Sequence, residues 1–348
     1  MKAAVFQGPG LLHKIEDMPM PVPGPHEVVI EVERCGICGS DVSGGKAPAD
    51  DKGQGASFGS IYRPGAILGH EIGGRVVELG SAVERLKVGD RIAPLAISGC
   101  STCVDCLSGN PVWCRSASML MGGYAQYALA SEFHSPILPP ELTLDCGALV
   151  EPMATSLHAV SLAELRPNAR VVVLGTGALG LGIVHFARMA GAGMIAAVAR
   201  SESREPLARA MGADFYVTQR PRLARELADL MGGPADVVFE AAGAPGLIGQ
   251  AISCVRPRGR IVSAGISTEA EANFHKAAIM KEVQIQYATA YSVADCELVV
   301  RQLRDPDCPL ARLVSKTTSL DTFPEVFDEL CHGAVQAKVI VDPWKAAE

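Results

Sequence analysis

The chain has 348 residues, a formal net charge of −7 and an ordinary globular balance of 48% hydrophobic and 20% charged residues. That balance excludes a disordered polypeptide, offers no basic footprint for nucleic acid, and at roughly 150 residues per domain leaves room for two domains. No stretch approaches the roughly 18 uninterrupted apolar residues of a spanning helix, and the opening MKAAVFQGPGLLHKIED meets Glu16 and Asp17 before any long apolar run, unlike a secretory signal; a cytoplasmic, reducing setting is expected, with neither membrane nor nucleic acid as a partner.

The first 140 residues are rich in strand and turn signals. HEVVIEVERCGIC alternates like a half-buried strand and ends at glycines, and EIGGRVVELG and GDRIAPLA read as further short strands between Gly turns, a small β-rich unit. Near residue 150 the rhythm changes. MATSLHAVSLAEL reads as a helix, RVVVLG as a buried strand and ALGLGIVHFARMAG as a helix. MIAAVAR, ADVVFEAAG and GRIVSAGI are strands, separated by the helices SREPLARAMG and LIGQAISCV. Strands alternating with helices predict a doubly wound parallel sheet. After about residue 291 the chain reads as helical and closes on the strand AKVIVDP, which is expected to return to the first domain.

Eleven cysteines are unevenly spread, with Cys100, Cys103, Cys106 and Cys114 inside GCSTCVDCLSGNPVWC. A disulfide framework is not expected in a reducing compartment. The spacing C-x2-C-x2-C-x7-C lets four thiolates turn toward one point and saturate a tetrahedral zinc ion, which staples a loop and leaves no position for chemistry. Four unrelated thiols or an iron–sulfur cluster are the alternatives.

Cys38 in CGICGSD, His70 and Glu71 in GHE, and Glu151 in EPMATS are each weak signals alone. Together one thiolate, one imidazole and one carboxylate leave a fourth position on zinc open for water or substrate. Ser40, two residues past Cys38, is placed to relay an alcohol proton. Asp41 is placed to accept the second N–H of His70, or is a turn residue of GSD.

VVVLGTGALG sets Gly175, Gly177 and Gly180 as G-x-G-x-x-G between a predicted strand and helix, with Ala178 and Leu179 opening the helix. In that context the glycines permit a tight turn, and the helix N-terminus receives a dinucleotide pyrophosphate. An NAD enzyme carries Asp or Glu at the end of the next strand. Here the position holds Ala199, followed by Arg200, Ser201 and Arg204. Guanidinium groups suit a 2′-phosphate, so NADP is the expected cofactor and NAD the alternative, the latter if Arg200 and Arg204 are solvated; Glu202 between them weighs for NAD.

These motifs together resemble the zinc-dependent medium-chain dehydrogenase/reductase superfamily, most of all its sorbitol, threonine and butanediol dehydrogenase branches. The resemblance runs from CGICGSD through GHEIGGRVVELGSAVERLKVGDRIA, the cysteine quartet, GGYAQYALA and EPMATSLHA to GTGALG and AKVIVDP. It implies a GroES-like β-rich catalytic domain over 1–153 and 291–348, interrupted by a Rossmann domain over 154–290. It implies catalytic zinc at Cys38, His70 and Glu151 with Glu71 as an occasional ligand, structural zinc at the quartet, and Thr155 against the nicotinamide. Lys338 in the closing strand is placed with the cofactor-binding residues, and a homodimer or homotetramer is implied. Two departures stand out: Ser43 occupies the place where the family often has His, and the segment GGKAPADDKGQGASFGSIYRPGAI, with Phe58 and Tyr62, is enlarged. That segment either reshapes substrate entry or is a surface loop. Cys35 matches no ligand position and reads as a packed thiol.

The expected activity is hydride transfer between NADP(H) and a secondary alcohol or small polyol and its ketone. A zinc-free enoyl or quinone reductase and a non-enzymatic NADPH-binding protein on the same fold are the alternatives.

Overall fold

The computed structural model describes residues 1–46, 61–267, 275–334 and 336–346. The chain divides into two compact units, one of Met1–Pro152 with Ser292–Glu348 and one of Met153–Tyr291.

The first unit is built on the strand Glu27–Gly36. It pairs antiparallel with Glu71–Leu79, with Tyr127–Ser131 and with the closing strand Lys338–Asp342. Beyond that closing strand, Val314–Ser319 adds in parallel. The central position explains a departure from simple alternation: Val28, Val29 and Ile30 are all fully buried, because both faces are covered and the register shifts between Val29 and Ile30. Register also positions the site. Gly36 lies opposite Glu71 and next to Ile340, so Cys38, His70, Glu71 and Lys338, far apart in sequence, converge at one end of the sheet. Beneath them Phe6, Ile30, Leu68, Tyr124, Phe323 and Phe327 form the core.

GSD, for which a turn is one alternative, instead opens the helix Gly39–Lys46, GSDVSGGK. Three glycines hide it from any propensity argument, and packing against the helix Phe323–Cys331 stabilises it: a Cβ on Gly45 would lie 2.8 Å from the Phe327 ring. The predicted helix at Met153 begins earlier, at Leu144, and runs to Leu162 with Pro152 inside it. Glu151 is therefore a helical residue.

The second unit is a six-stranded parallel sheet. Its strands lie in the order Phe215–Thr218, Met194–Ala199, Arg170–Leu174, Ala235–Glu240, Val255–Ser263, Gln284–Tyr287. Numbered along the chain this is 3-2-1-4-5-6, the dinucleotide-binding arrangement, in which ligands bind beyond the carboxyl ends where the order reverses. The strand Arg170–Leu174 and the helix Ala178–Met189 flank that reversal. The strands Phe215–Thr218 and Gln284–Tyr287 and the helix Leu223–Met231 join the elements legible in the sequence.

Candidate active site, zinc sites and cofactor loop

The four cysteines of the quartet present sulfur atoms all within 4.8 Å of one another, the only such metal-ligating group among the described residues. Tetrahedral zinc with Zn–S bonds of about 2.3 Å needs sulfurs about 3.8 Å apart, so the grouping fits the ion. Backbone N–H groups already aim at the sulfurs as they would at thiolates: Cys103 donates to Cys100 (3.4 Å), and Cys100 and Ser116 donate to Cys114 (3.3 Å each). The Thr102 hydroxyl on the Cys100 sulfur draws that thiol down to about 6. None of the eleven cysteines is in a disulfide.

Cys38 follows the central strand, and its sulfur accepts the hydroxyl of Ser40 at 3.2 Å and the Ser40 N–H at 3.5 Å. His70 is 6% exposed and lies close enough to Cys38 to feel its charge. Burial opposes a charge on His70, yet Asp41, Cys38 and, more weakly, Glu151 together push its pKa well above the ordinary histidine range. Its Nδ1 makes no hydrogen bond among the described residues. Cys38 lies beside His70 and Glu151 reaches the imidazole through its charge; unlike the quartet, these three side chains are not gathered into one metal-sized group in the described structure.

Asp41 is fully buried, and its relation to His70 is looser than expected. Oδ2 lies 3.7 Å from His70 Nδ1, in electrostatic contact but beyond hydrogen-bond length. That oxygen instead accepts the hydroxyl of Tyr124 at 2.6 Å, and Oδ1 accepts the hydroxyl of Tyr62 at 3.4 Å. The environment is dry enough that burial raises the Asp41 carboxyl above its usual range, despite His70 and the Tyr124 bond.

Two of the expected site residues meet each other. Glu71, expected beside the metal, turns both carboxylate oxygens to Lys338 Nζ, at 2.6 and 2.7 Å. Lys338, expected on the cofactor, spends its remaining reach on the Ile37 carbonyl (3.1 Å). An ammonium and a carboxylate shut away from water hold each other, since neither tolerates burial alone. Burial alone would lower the Lys338 pKa; Glu71 reverses it and raises it.

Ser43 is exposed on the helix Gly39–Lys46. Phe58 and most of the enlarged segment lie outside the described residues, whereas Tyr62 is half-buried against Asp41. Sequence reasoning missed Tyr124, because an aromatic residue in GGYAQY reads as core and only its distant partner reveals the hydroxyl's task.

In the second unit, Gly175 has φ +105°, and a Cβ on Gly180 would lie 2.0 Å from the Gly175 carbonyl oxygen. The loop therefore closes tightly before the helix that opens at Ala178 and Leu179, and Gly177 caps that helix without a side chain, leaving its N–H groups for an anion. The Ser156 hydroxyl holds the Leu179 carbonyl at 3.0 Å. Arg204 Nη1 donates to the Thr176 carbonyl at 2.8 Å, so this guanidinium lies beside the glycine loop; burial, and more weakly Arg200, lower its pKa. Tyr216 donates to the Ser201 carbonyl at 2.7 Å, and the Ser201 and Ser203 hydroxyls are 3.0 Å apart. Ala199 ends its strand, with Arg200 and Glu202 exposed after it. Thr155 lies one turn past Glu151 on its helix and is half-buried.

Residues 24–139 match the family model for the alcohol dehydrogenase GroES-like domain, and residues 178–305 that for zinc-binding dehydrogenase. The Aspergillus clavatus protein named probable D-xylulose reductase A is 32% identical, covering 92% of this chain and 91% of its own. The crystal structure of 2R,3R-butanediol dehydrogenase from Bacillus subtilis superposes with a TM-score of 0.85 at 30% identity, over 98% of this chain and 99% of its own. A Sinorhizobium meliloti protein of the zinc-binding dehydrogenase type, bound to NADP, gives a TM-score of 0.85 at 28% identity, over 98% and 99%. With its GroES-like unit, its Rossmann-type sheet and these relatives across nearly the whole sequence, the chain belongs to the zinc-dependent alcohol dehydrogenases of the medium-chain dehydrogenase/reductase superfamily.

Proposed function

We propose that this protein is an NADP-preferring alcohol dehydrogenase/ketone reductase that interconverts a secondary alcohol or small polyol and its ketone. The observation that carries the reading is the Cys38 sulfur, which accepts both the hydroxyl and the N–H of Ser40 and lies beside buried His70. In this reading residues 1–153 and 291–348 are the catalytic domain, 154–290 bind the dinucleotide, and each chain carries two zinc ions. Cys38, His70 and Glu151 hold one ion and Cys100, Cys103, Cys106 and Cys114 the other; Thr155 faces the nicotinamide. The assembly is a cytoplasmic homodimer or homotetramer, and among the described residues no helix is long and apolar enough to cross a membrane.

Zinc at the open site supplies Lewis acidity toward an alcohol or carbonyl oxygen. Ser40 would relay the alcohol proton, its oxygen accepting that proton as its own hydroxyl proton passes on to water, and the reverse in reduction. Asp41 sets its charge against His70 at 3.7 Å, and the Glu71–Lys338 pair fixes the strand ends behind the ligands. In balance, CH–OH and NADP⁺ give C=O, NADPH and a proton. Arg200, Ser201 and Arg204 receive the 2′-phosphate, and the absence of a carboxylate at Ala199 removes the repulsion that would exclude it. A relative bound to NADP supports this choice.

The test is a panel of secondary alcohols and polyols with NADP⁺, followed by NADPH absorbance, on protein whose zinc has been counted. Two zinc ions per chain with turnover of at least one substrate are expected. One zinc ion per chain without alcohol oxidation would favour a zinc-free reductase.

A further inference from the structure

We propose that Tyr124 is a positioning residue for the open metal site, holding His70 from two sides through its backbone and its phenol. The inference rests on the reading of Cys38, His70 and Glu151 as ligands.

Tyr124 is fully buried in the first unit. Its N–H donates to the Leu68 carbonyl at 3.0 Å, and the neighbouring Gly123 N–H donates to the Gly69 carbonyl at 2.9 Å. These bonds clamp the two residues that precede His70. The ring then lies where a side chain on Gly69 would stand: a Cβ there would be 2.7 Å from Cδ1 of Tyr124. With φ +90° at Gly69, this step into His70 suits glycine and allows the close approach. At its far end the phenol donates to Asp41 Oδ2 at 2.6 Å, the oxygen that also faces His70 Nδ1 at 3.7 Å. Phe323 supports the ring at a centroid distance of 4.6 Å. One side chain thus fixes the backbone that delivers His70 and the carboxylate whose charge faces its imidazole.

The phenol matters more than its ring. Asp41 is fully buried, and without the Tyr124 hydroxyl its remaining hydrogen-bond donor among the described residues is Tyr62, at a longer 3.4 Å and on the other oxygen. The carboxylate would then be free to rotate, and the imidazole would lose its fixed counter-dipole. Groups that orient a ligating histidine typically change metal affinity or activity about 10- to 100-fold.

The experiment measures zinc release to a chromogenic chelator from wild type, Tyr124→Phe, Asp41→Asn and the double variant, with total zinc counted first. Two release phases are expected. Tyr124→Phe should speed loss of the open-site zinc about 10-fold or more, leave the quartet phase unchanged, and lower kcat without raising KM for NADP. Because Tyr124 acts through Asp41, the double variant should release zinc no faster than Asp41→Asn alone. Wild-type release from Tyr124→Phe, or effects of the two substitutions that multiply in full, would overturn the proposal. Should Tyr124→Phe not fold, unchanged release from Asp41→Asn would overturn it equally. A wild type with the quartet zinc alone would instead overturn the underlying ligand assignment.

Discussion

The Lys338 ammonium lies 2.6 and 2.7 Å from the two carboxylate oxygens of Glu71, and both side chains are closed to water. Such a pair contributes little beyond an apolar isostere, but breaking it strands a buried charge. Lys338→Met should therefore cost about 3–5 kcal/mol in denaturant unfolding, and Glu71→Met/Lys338→Met should recover at least half of that loss. A Lys338→Met protein of unchanged stability with a raised KM for NADP would mean that Lys338 serves the cofactor.

His13 lies inside a cage of aromatic rings, 5.4 Å from Phe6, 5.1 Å from Phe323 and 4.6 Å from Phe327 between centroids. Among the described residues neither ring nitrogen has a hydrogen-bond partner, and burial lowers its pKa to about 4. The sign follows by linkage. The unfolded chain takes up a proton on His13 below about pH 6.5 and the folded chain does not until about pH 4, so stability falls across that window as pH is lowered. Unfolding free energies measured from pH 7 to pH 4 should drop about 2–3 kcal/mol more for wild type than for His13→Leu. Parallel curves for the two proteins would place a proton acceptor or donor in the cage.

What the sequence made legible was what spacing encodes locally. The quartet spans 15 residues, and the glycine loop sits between a strand and a helix with clear periodicities. Contacts across long separations were not legible: Lys338 meets Glu71 from 267 residues away, and Tyr124 meets Asp41 from 83. Nothing in GHE says which way a buried carboxylate turns. Gly39–Lys46 was hidden by its glycines, and the four-residue strands Phe215–Thr218 and Gln284–Tyr287 are too short for alternation to register.

Ser40→Ala should slow alcohol oxidation by about 10²-fold, the scale of a positioned proton-transfer group, with zinc content unchanged because Ser40 only donates to the Cys38 sulfur. Steady-state kcat against pH, with zinc counted on the same sample, checks this. A loss below about threefold would leave the proton to water and make Ser40 a helix-start residue.

The end of the Met194–Ala199 strand should set an NADPH preference of about tenfold to a hundredfold in kcat/KM, the worth of one charged hydrogen bond of about 1.5–3 kcal/mol. Ala199→Asp/Arg200→Leu should reverse it, since a carboxylate gains the ribose hydroxyls and repels phosphate. Added salt should weaken the wild-type preference, Arg200 being exposed. A wild type that prefers NADH would mean that the Arg200 and Arg204 side chains do not meet the phosphate.

The open metal site is tested most directly by alcohol-dependent NADPH formation in wild type and Cys38→Ala, each with its zinc counted. Cys38→Ala removes a sulfur from the open site and none from the quartet, so one zinc ion per chain, a folded protein and no turnover are predicted, against two zinc ions and turnover in wild type. A Cys38→Ala protein that still oxidises the alcohol at near wild-type rate would contradict the account.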